Sequence, residues 1–370
     1  MSNIKKVSVN LGKQSYPIFI GSNIVNEQIK KIFKRKKLNK IILVTDSNVE
    51  KEHGSRVYSI LKKNTQSLFK IVLPHGEKTK SFNILERLLE KILSFKINRD
   101  TFFVSVGGGV IGDIGGFASS ILLRGVTLIH VPTSLLAQVD SAIGGKTGIN
   151  SKYGKNLIGT FKQPKAVIIS IAFLKTLPKR EMISGYAEIL KYSMISNKEF
   201  FLWLNKNGGF VLKLKSEALI YAIKKSCEIK SKIVSRDEKE LGVREFLNFG
   251  HTFGHAIEAS TNYSKKINHG EAIFIGMVIA IKFSIYLNIC NKNILDKFVC
   301  HLENLGICYK LTDFKIRMKT KEFLNYLKFD KKIKGNKLKF ILLQDIGKPI
   351  SYILENEQIL INFLDQELNY

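Results

Sequence analysis

The sequence predicts an α/β N-terminal domain on a Rossmann-like parallel sheet, followed by a mostly α-helical C-terminal domain. Three observations carry that expectation. Short β-branched runs alternate with amphipathic stretches through the first half of the chain. Twelve of the 27 glycines lie between Gly107 and Gly159, directly after a strand-like run. Beyond Pro178 no clear strand appears until Lys339. A chain of 370 residues accommodates two domains, and the change in character near 178–180 places them at 1–178 and 179–370.

In chain order, strands are expected at Val7–Leu11, Tyr16–Ile20, Lys40–Thr45, Phe69–Leu73, Thr101–Val106, Thr127–Val131 and Ala166–Ser170. Apolar residues at helical spacing mark Asn26–Phe33, Val57–Lys62 and Ser81–Leu93, with Ser81 suited to cap the helix that starts at Phe82. Strand–helix alternation of this kind puts helices on both faces of a parallel sheet. Ile114–Leu123 is helix-like, and long helical patterns fill 180–206, 213–234, 245–260 and 270–288 before strands at Lys339–Leu343 and Ser351–Leu354.

Composition narrows the function classes. A hydrophobic share of 45% excludes disorder, and the apolar segment 104–123, the nearest thing to a membrane span, is interrupted by Asp113 and bounded by Arg124. The N-terminus runs into alternating sequence with no secretory h-region, and four cysteines without a C-x-x-C pair fit reduced thiols; a cytoplasmic location is expected. The net charge of +28 invites a nucleic-acid reading. However, nine arginines stand against 50 lysines spread along the whole chain, so a solvated lysine surface is favoured, with neither nucleic acid nor membrane as partner.

Strand 101–106 runs into Gly107-Gly108-Gly109-Val110-Ile111-Gly112-Asp113, which contains G-x-G-x-x-G. Glycines there let backbone N–H groups approach a pyrophosphate at a helix N-terminus. The plain alternative is a turn that packs helix on sheet, because this strand is not the first and no acid follows about 20 residues on. Asp46, ending an earlier strand, could hold a ribose hydroxyl or simply close an Asx turn. Gly144-Gly145-Lys146-Thr147-Gly148 resembles a clipped P-loop but lacks its leading glycine and spacer, which makes a nucleotide-triphosphatase reading poor. Lys146, Lys155 and Asn156, on glycine-containing loops, suit an anionic ligand.

Three of the seven histidines fall within 19 residues, as His251, His255 and His269. His251 and His255 are spaced i, i+4 on one helical face, as zinc-binding pairs often are, but the Glu of H-E-x-x-H is missing. A catalytic zinc needs three protein ligands and an open position. Glu188, one turn from Lys191 on an otherwise apolar helix, can supply the acid. Spacing leaves open which two histidines join it.

Taken together and in order, several segments resemble the 3-dehydroquinate synthase family of sugar-phosphate cyclases. They are Pro74-His75-Gly76-Glu77, GGGVIGDIGGFAS (107–119), RGV (124–126), VPTSLLAQVDSAIGGKTGIN (131–150), GKNLIGTF (154–161), GYAEILKY (185–192), GVREFLNFGHTFGHAIE (242–258) and HGE (269–271). The resemblance implies a dehydroquinate-synthase-like fold, with an NAD-binding α/β domain, a helical metal-binding domain and an active site between them, in a homodimer. It implies a divalent metal, Zn²⁺ or Co²⁺, on Glu188, His251 and His269, leaving His255 to face substrate. It implies NAD contacts at Asp46; His75, Gly76, Glu77, Lys78, Thr79 and Lys80; Gly109, Val110, Ile111, Gly112 and Asp113; Thr133 and Ser134; Lys146 and Lys155; and Phe173, Leu174, Lys175 and Thr176. Substrate and catalytic contacts are implied at Arg124, Asp140, Lys146, Asn156, Lys191, Lys230, Arg244, Asn248 and His255, with one of Lys331 or Lys332. Two departures stand out, since His75 sits where relatives often carry an acid and Ser134 replaces a common Thr.

The implied reaction converts 3-deoxy-D-arabino-heptulosonate 7-phosphate to 3-dehydroquinate and phosphate. Its steps are transient oxidation by NAD, phosphate elimination, re-reduction and aldol closure, within the shikimate route to aromatic amino acids. A sugar phosphate that also carries a carboxylate needs cationic partners, and Arg244 suits bidentate recognition. Arg244 and Asn248 match the dehydroquinate-forming pattern rather than that of inosose or valiolone cyclases.

Overall fold

A computed structural model describes residues 4–33, 38–330 and 338–368. The chain divides into two compact units, Met1–Met182 with Leu214–Lys239 and Ile183–Lys213 with Glu240–Tyr370. The segment 214–239, expected in the second domain, therefore belongs with the first unit.

The first unit runs β1 (Lys5–Val9), β2 (Tyr16–Gly21), α1 (Val25–Ile32), β3 (Leu38–Asp46), the single turn α2 (Ser47–Val49), α3 (Ser55–Lys62), β4 (Thr65–Leu73), α4 (Phe82–Leu93), β5 (Phe102–Gly107), α5 (Gly109–Ile121), β6 (Thr127–Pro132), β7 (Lys146–Ser151), β8 (Gly154–Phe161) and β9 (Ala166–Ser170). Seven strands form one sheet in the order β1-β2-β9-β6-β5-β3-β4. Every pairing is parallel except β1 with β2, whose connection of six residues is too short for a parallel crossover. Along β3 the side chains alternate. Ile41 and Leu43 enter a core with α1 and α3, while Ile42 and Val44 enter another with α4 and α5. Each such buried aliphatic side chain contributes roughly 1.5–3 kcal/mol. Ser81 caps α4 as expected, its hydroxyl accepting from the Ile84 amide at 3.5 Å.

β7 and β8 were read as loops and are an antiparallel ribbon. Gly148 faces Gly159 across it, and a Cβ at Gly159 would lie 1.9 Å from the Thr147 carbonyl. Glycine at this pair permits close strand approach, and the same glycines hid the strand pattern. After α6 (Lys179–Ser196) and α7 (Lys198–Leu212), α8 (Ser216–Arg236) returns to the first unit and lies against β1 and β2, with Leu219, Ile223 and Val234 among its buried residues.

The second unit holds most of α6, all of α7, then α9 (His251–Ser260), α10 (His269–Tyr286), α11 (Lys292–Asn304), α12 (Thr320–Asp330), β10 (Lys339–Asp345), β11 (Lys348–Ile353) and α13 (Glu357–Leu368). The stretch 180–206 is two helices, because Asn197 leaves helical geometry and its side chain accepts from the Phe200 amide at 2.9 Å, capping α7. Helix 245–260 is likewise split by Gly250, whose φ of 78° separates the turn Val243–Asn248 from α9. α10 is the one described helix long and apolar enough to cross a membrane, and it is mostly buried inside the second unit as a core helix. All four cysteines are free.

Candidate active site

In the second unit, backbone contacts bring three helices together. A Cβ at Gly276 would lie 2.1 Å from the Gly250 carbonyl, so α9 and α10 touch backbone to backbone. The Gly270 amide donates to the Ser184 hydroxyl at 3.1 Å, fixing the start of α10 against α6 one turn before Glu188. His251, His255 and Glu258 are spaced i, i+4, i+7 and form one stripe of α9 facing His269.

Donor atoms of Glu188, His251 and His269 all lie within 4.8 Å of one another. Glu188 is fully buried, and its Oε1 lies 3.6 Å from Nε2 of both histidines. Opposite those nitrogens, each ring meets an acceptor: the Phe249 carbonyl lies 3.2 Å from Nδ1 of His251, and Glu258 Oε2 lies 3.1 Å from Nδ1 of His269. A neutral imidazole hydrogen-bonded at Nδ1 keeps its lone pair on Nε2. Two Nε2 lone pairs and a carboxylate thus converge, a donor set that fits a divalent transition metal such as zinc. His255, Glu258 and His269 form a second, overlapping group.

The electrostatics agree with a cation's place. Burial, then the Lys191 ammonium, push His251 well below the usual imidazole range. Burial also pulls on His269, but the Glu258 and Glu188 carboxylates override it and raise the group to about 10. A bound cation would displace that proton. Lys191 is buried and paired with Glu188.

In the first unit, β5 ends at Gly107 and α5 begins at Gly109. The glycines of this segment divide by position. Gly107 and Gly116 pack, since a Cβ would meet Ile111 at 2.6 Å and Thr147 at 2.3 Å, whereas a Cβ at Gly108 meets nothing nearer than Ser134 Oγ at 3.4 Å. The P-loop resemblance fails structurally, because Gly144-Gly145-Lys146 leads into β7 rather than a helix. Lys80 is buried; burial disfavours its charge, but the Asp113 carboxylate at 2.6 Å raises its pKa, and Asn156 completes the contact. Asp46 caps α2, its Oδ1 accepting from the Asn48 and Val49 amides at 2.9 and 3.1 Å. Nearby, Ser47 Oγ lies 3.2 Å from His75 Nδ1, which occupies the departing position.

Profiles described as 3-dehydroquinate synthase N-terminal and C-terminal match residues 70–184 and 185–333. A 3-dehydroquinate synthase of Pelagibacter ubique is 42% identical over 365 residues, 98% of each chain. This chain belongs to the 3-dehydroquinate synthase family. Another family member, from Bartonella quintana, is 43% identical, with 98% of both chains aligned. Among solved structures, 2-deoxy-scyllo-inosose synthase complexed with carbaglucose-6-phosphate, NAD⁺ and Co²⁺ matches with a TM-score of 0.86 and 26% identity, over 98% of this chain and all of that one.

Against the 3-dehydroquinate synthase pattern, the candidate substrate residues fall into groups. Lys230 of α8 lies in the first unit and binds Asp140 twice, at Oδ1 and at the backbone carbonyl, both 2.7 Å away. Arg124 is exposed and sits at φ 64°, after Leu123 at φ 48°, an unusual pair of left-handed non-glycine residues. Lys146 opens β7, and Lys155 and Asn156 lie in β8 rather than on loops. Arg244 is buried in the second unit, and Asn248 Nδ2 donates to Glu240 Oε1 at 3.1 Å.

Some assigned side chains are occupied elsewhere. Ile111, Phe173 and Leu174 are buried in the core, so only their backbones could meet a cofactor, and Thr79 donates to the Pro74 carbonyl at 2.6 Å. Thr133 is buried, its amide donating to the Gly107 carbonyl, and Ser134 Oγ accepts from the Ala137 amide. Gly76 takes φ 98° between exposed His75, Glu77 and Lys78, while Gly112 and Val110 line the first turn of α5. Lys175 is exposed, and Thr176 meets His53 Nε2 at 2.8 Å. Lys331 and Lys332 lie outside the described residues. Sequence reasoning missed Glu240, Glu258 and His53. Glu258 carried a usable signal, the i, i+7 spacing from His251, whereas His53 reaches Thr176 only through the fold.

Proposed function

We propose that this chain is a 3-dehydroquinate synthase, a carbon–oxygen lyase that converts 3-deoxy-D-arabino-heptulosonate 7-phosphate to 3-dehydroquinate and phosphate. The observation that carries the proposal is the convergence of Glu188, His251 and His269, with both histidines set to offer Nε2. Family membership and the NAD⁺ and Co²⁺ in the inosose synthase complex support it. Bound NAD supplies reversible hydride uptake, and a divalent ion supplies Lewis acidity at a substrate oxygen.

The chain's own residues do the rest. In the second unit, Lys191 and Arg244 are buried cations suited to the substrate's anionic groups, and Arg244 can engage a carboxylate bidentately. His255, on the face of α9 beside His251, is placed to move a proton at a substrate hydroxyl. In the first unit, Lys230, oriented by Asp140, and Lys146 offer further positive charge. The turn at Gly108 leaves the N-terminus of α5 open to a dinucleotide pyrophosphate. Most of the +28 charge is solvated surface, and a cytoplasmic homodimer without nucleic-acid or membrane partners completes the reading.

Phosphate release from the heptulosonate phosphate tests it. Substoichiometric NAD should sustain turnover with no net NADH, chelation should abolish it, and Zn²⁺ or Co²⁺ should restore it. No release with both cofactors present refutes the proposal, and accumulating NADH would indicate a dehydrogenase instead.

A further inference from the structure

His269 has a carboxylate at each ring nitrogen. Glu258 Oε2 lies 3.1 Å from Nδ1, and Glu188 Oε1 lies 3.6 Å from Nε2. The two acids differ in position. Glu188 stands at the centre of the donor cluster with both histidine Nε2 atoms, whereas Glu258 lies behind His269, on the third turn of α9. Glu258 is buried, at 6% exposure. A buried carboxylate needs a hydrogen-bond donor, and the Nδ1–H of His269 is one. His251 has the Phe249 carbonyl in the corresponding place.

We propose that Glu258 is a positioning residue for the metal centre. By accepting from Nδ1–H it fixes the tautomer and ring orientation that aim Nε2 of His269 into the cluster, and it is not itself a ligand. This deepens the proposed function and rests on its metal assignment. The overlapping group His255, Glu258 and His269 poses the opposite possibility, with Glu258 and His255 as ligands. The geometry favours the positioning role, because one imidazole cannot present lone pairs on both nitrogens while hydrogen-bonded at Nδ1.

The experiment is Co²⁺ titration of metal-free full-length protein, followed by visible absorption, with no substrate or NAD present. Glu258→Leu should weaken Co²⁺ binding about 10- to 100-fold, the usual cost of losing such a partner. Glu258→Gln, whose amide carbonyl can still accept from Nδ1–H, should recover part of that affinity with an unchanged absorption band. His255→Ala should bind Co²⁺ as the unaltered protein does. Circular dichroism and thermal unfolding of the metal-free variants separate folding from binding, and if Glu258→Leu does not fold, Glu258→Gln and His255→Ala still decide. Equal affinity in both Glu258 variants and the unaltered protein overturns the positioning role. A shifted band or abolished binding in Glu258→Gln, or weakened binding in His255→Ala, makes these residues ligands and also overturns it. If the unaltered protein binds no Co²⁺, it is the metal assignment that fails.

Discussion

In the first unit, the residues suited to a dinucleotide are presented by backbone. Gly108 leaves a turn open, Gly76 takes a left-handed φ, the Thr133 amide donates to the Gly107 carbonyl, and the short side chains of Asp46 and Ser134 are spent accepting from neighbouring amides. In the second unit, glycines bring helices into contact, but the chemistry lies in side chains: Glu188, His251 and His269 at the centre, with Lys191 and Glu258 around them. A backbone-built site tolerates many side-chain changes and few added methyl groups. A donor cluster behaves oppositely, because each ligand identity is fixed by coordination chemistry.

The largest test of that contrast is Glu188→Ala. It deletes one donor of the proposed metal cluster and removes the carboxylate beside Lys191, a buried cation. Metal content after purification should fall to background. Breaking a buried pair from one side typically costs about 3–5 kcal/mol, so urea unfolding of the metal-free protein should show a loss in that range. Full metal occupancy in the variant would take the cluster out of the proposed function.

Acidification compares the units by a different route. Burial lowers His130, in β6 of the first unit, and His301, in α11 of the second, to about 4 in each case. Both are neutral when folded at pH 7 and bind protons more readily when unfolded. Stability from each is therefore present above about 6.5 and is lost as pH falls from 6.5 toward 4, by at most about 3 kcal/mol per group. His301 meets Tyr186 OH at 2.9 Å, so His301→Gln should flatten this pH dependence in the second unit's transition. An unchanged slope from pH 6.5 to 4 would show that His301 does not stay neutral on folding.

Much of this architecture was legible in the sequence. All seven strands of the main sheet were placed, because each is a β-branched run bounded by turn residues. Glu188 was proposed as the metal acid because a charge on an apolar helix stands out, but the choice of His269 over His255 came from the family resemblance, since spacing leaves it open. The structure groups Glu188 with His251 and His269, each ring with an acceptor at Nδ1. Three things were illegible. The ribbon β7–β8 is masked by glycines, α8 returns to the first unit through contacts that no local pattern encodes, and the pairing of Glu258 with His269, 11 positions away on another helix, is made only by the fold, although the i, i+7 spacing from His251 marks the face Glu258 lies on.

The subtlest comparison lies within the glycine segment itself, where two alanine substitutions should part company. Gly116→Ala places a methyl 2.3 Å from Thr147 Cγ2, and Thr147 cannot turn aside cheaply, because its hydroxyl donates to the Thr160 carbonyl at 2.9 Å. Overpacking of this kind costs about 1–3 kcal/mol, which urea unfolding would read while NAD affinity in the folded fraction stays near normal. Gly108 has φ −73° and ψ −169°, open to alanine, with its nearest neighbour at 3.4 Å. Gly108→Ala should therefore cost no more than about 1 kcal/mol, the loss expected on replacing a glycine cap. Its methyl would stand where a pyrophosphate approaches the N-terminus of α5, so the NAD dissociation constant should rise about tenfold. Unchanged NAD binding in Gly108→Ala would mean that the dinucleotide does not approach through this turn, leaving the glycines of the segment a packing role alone.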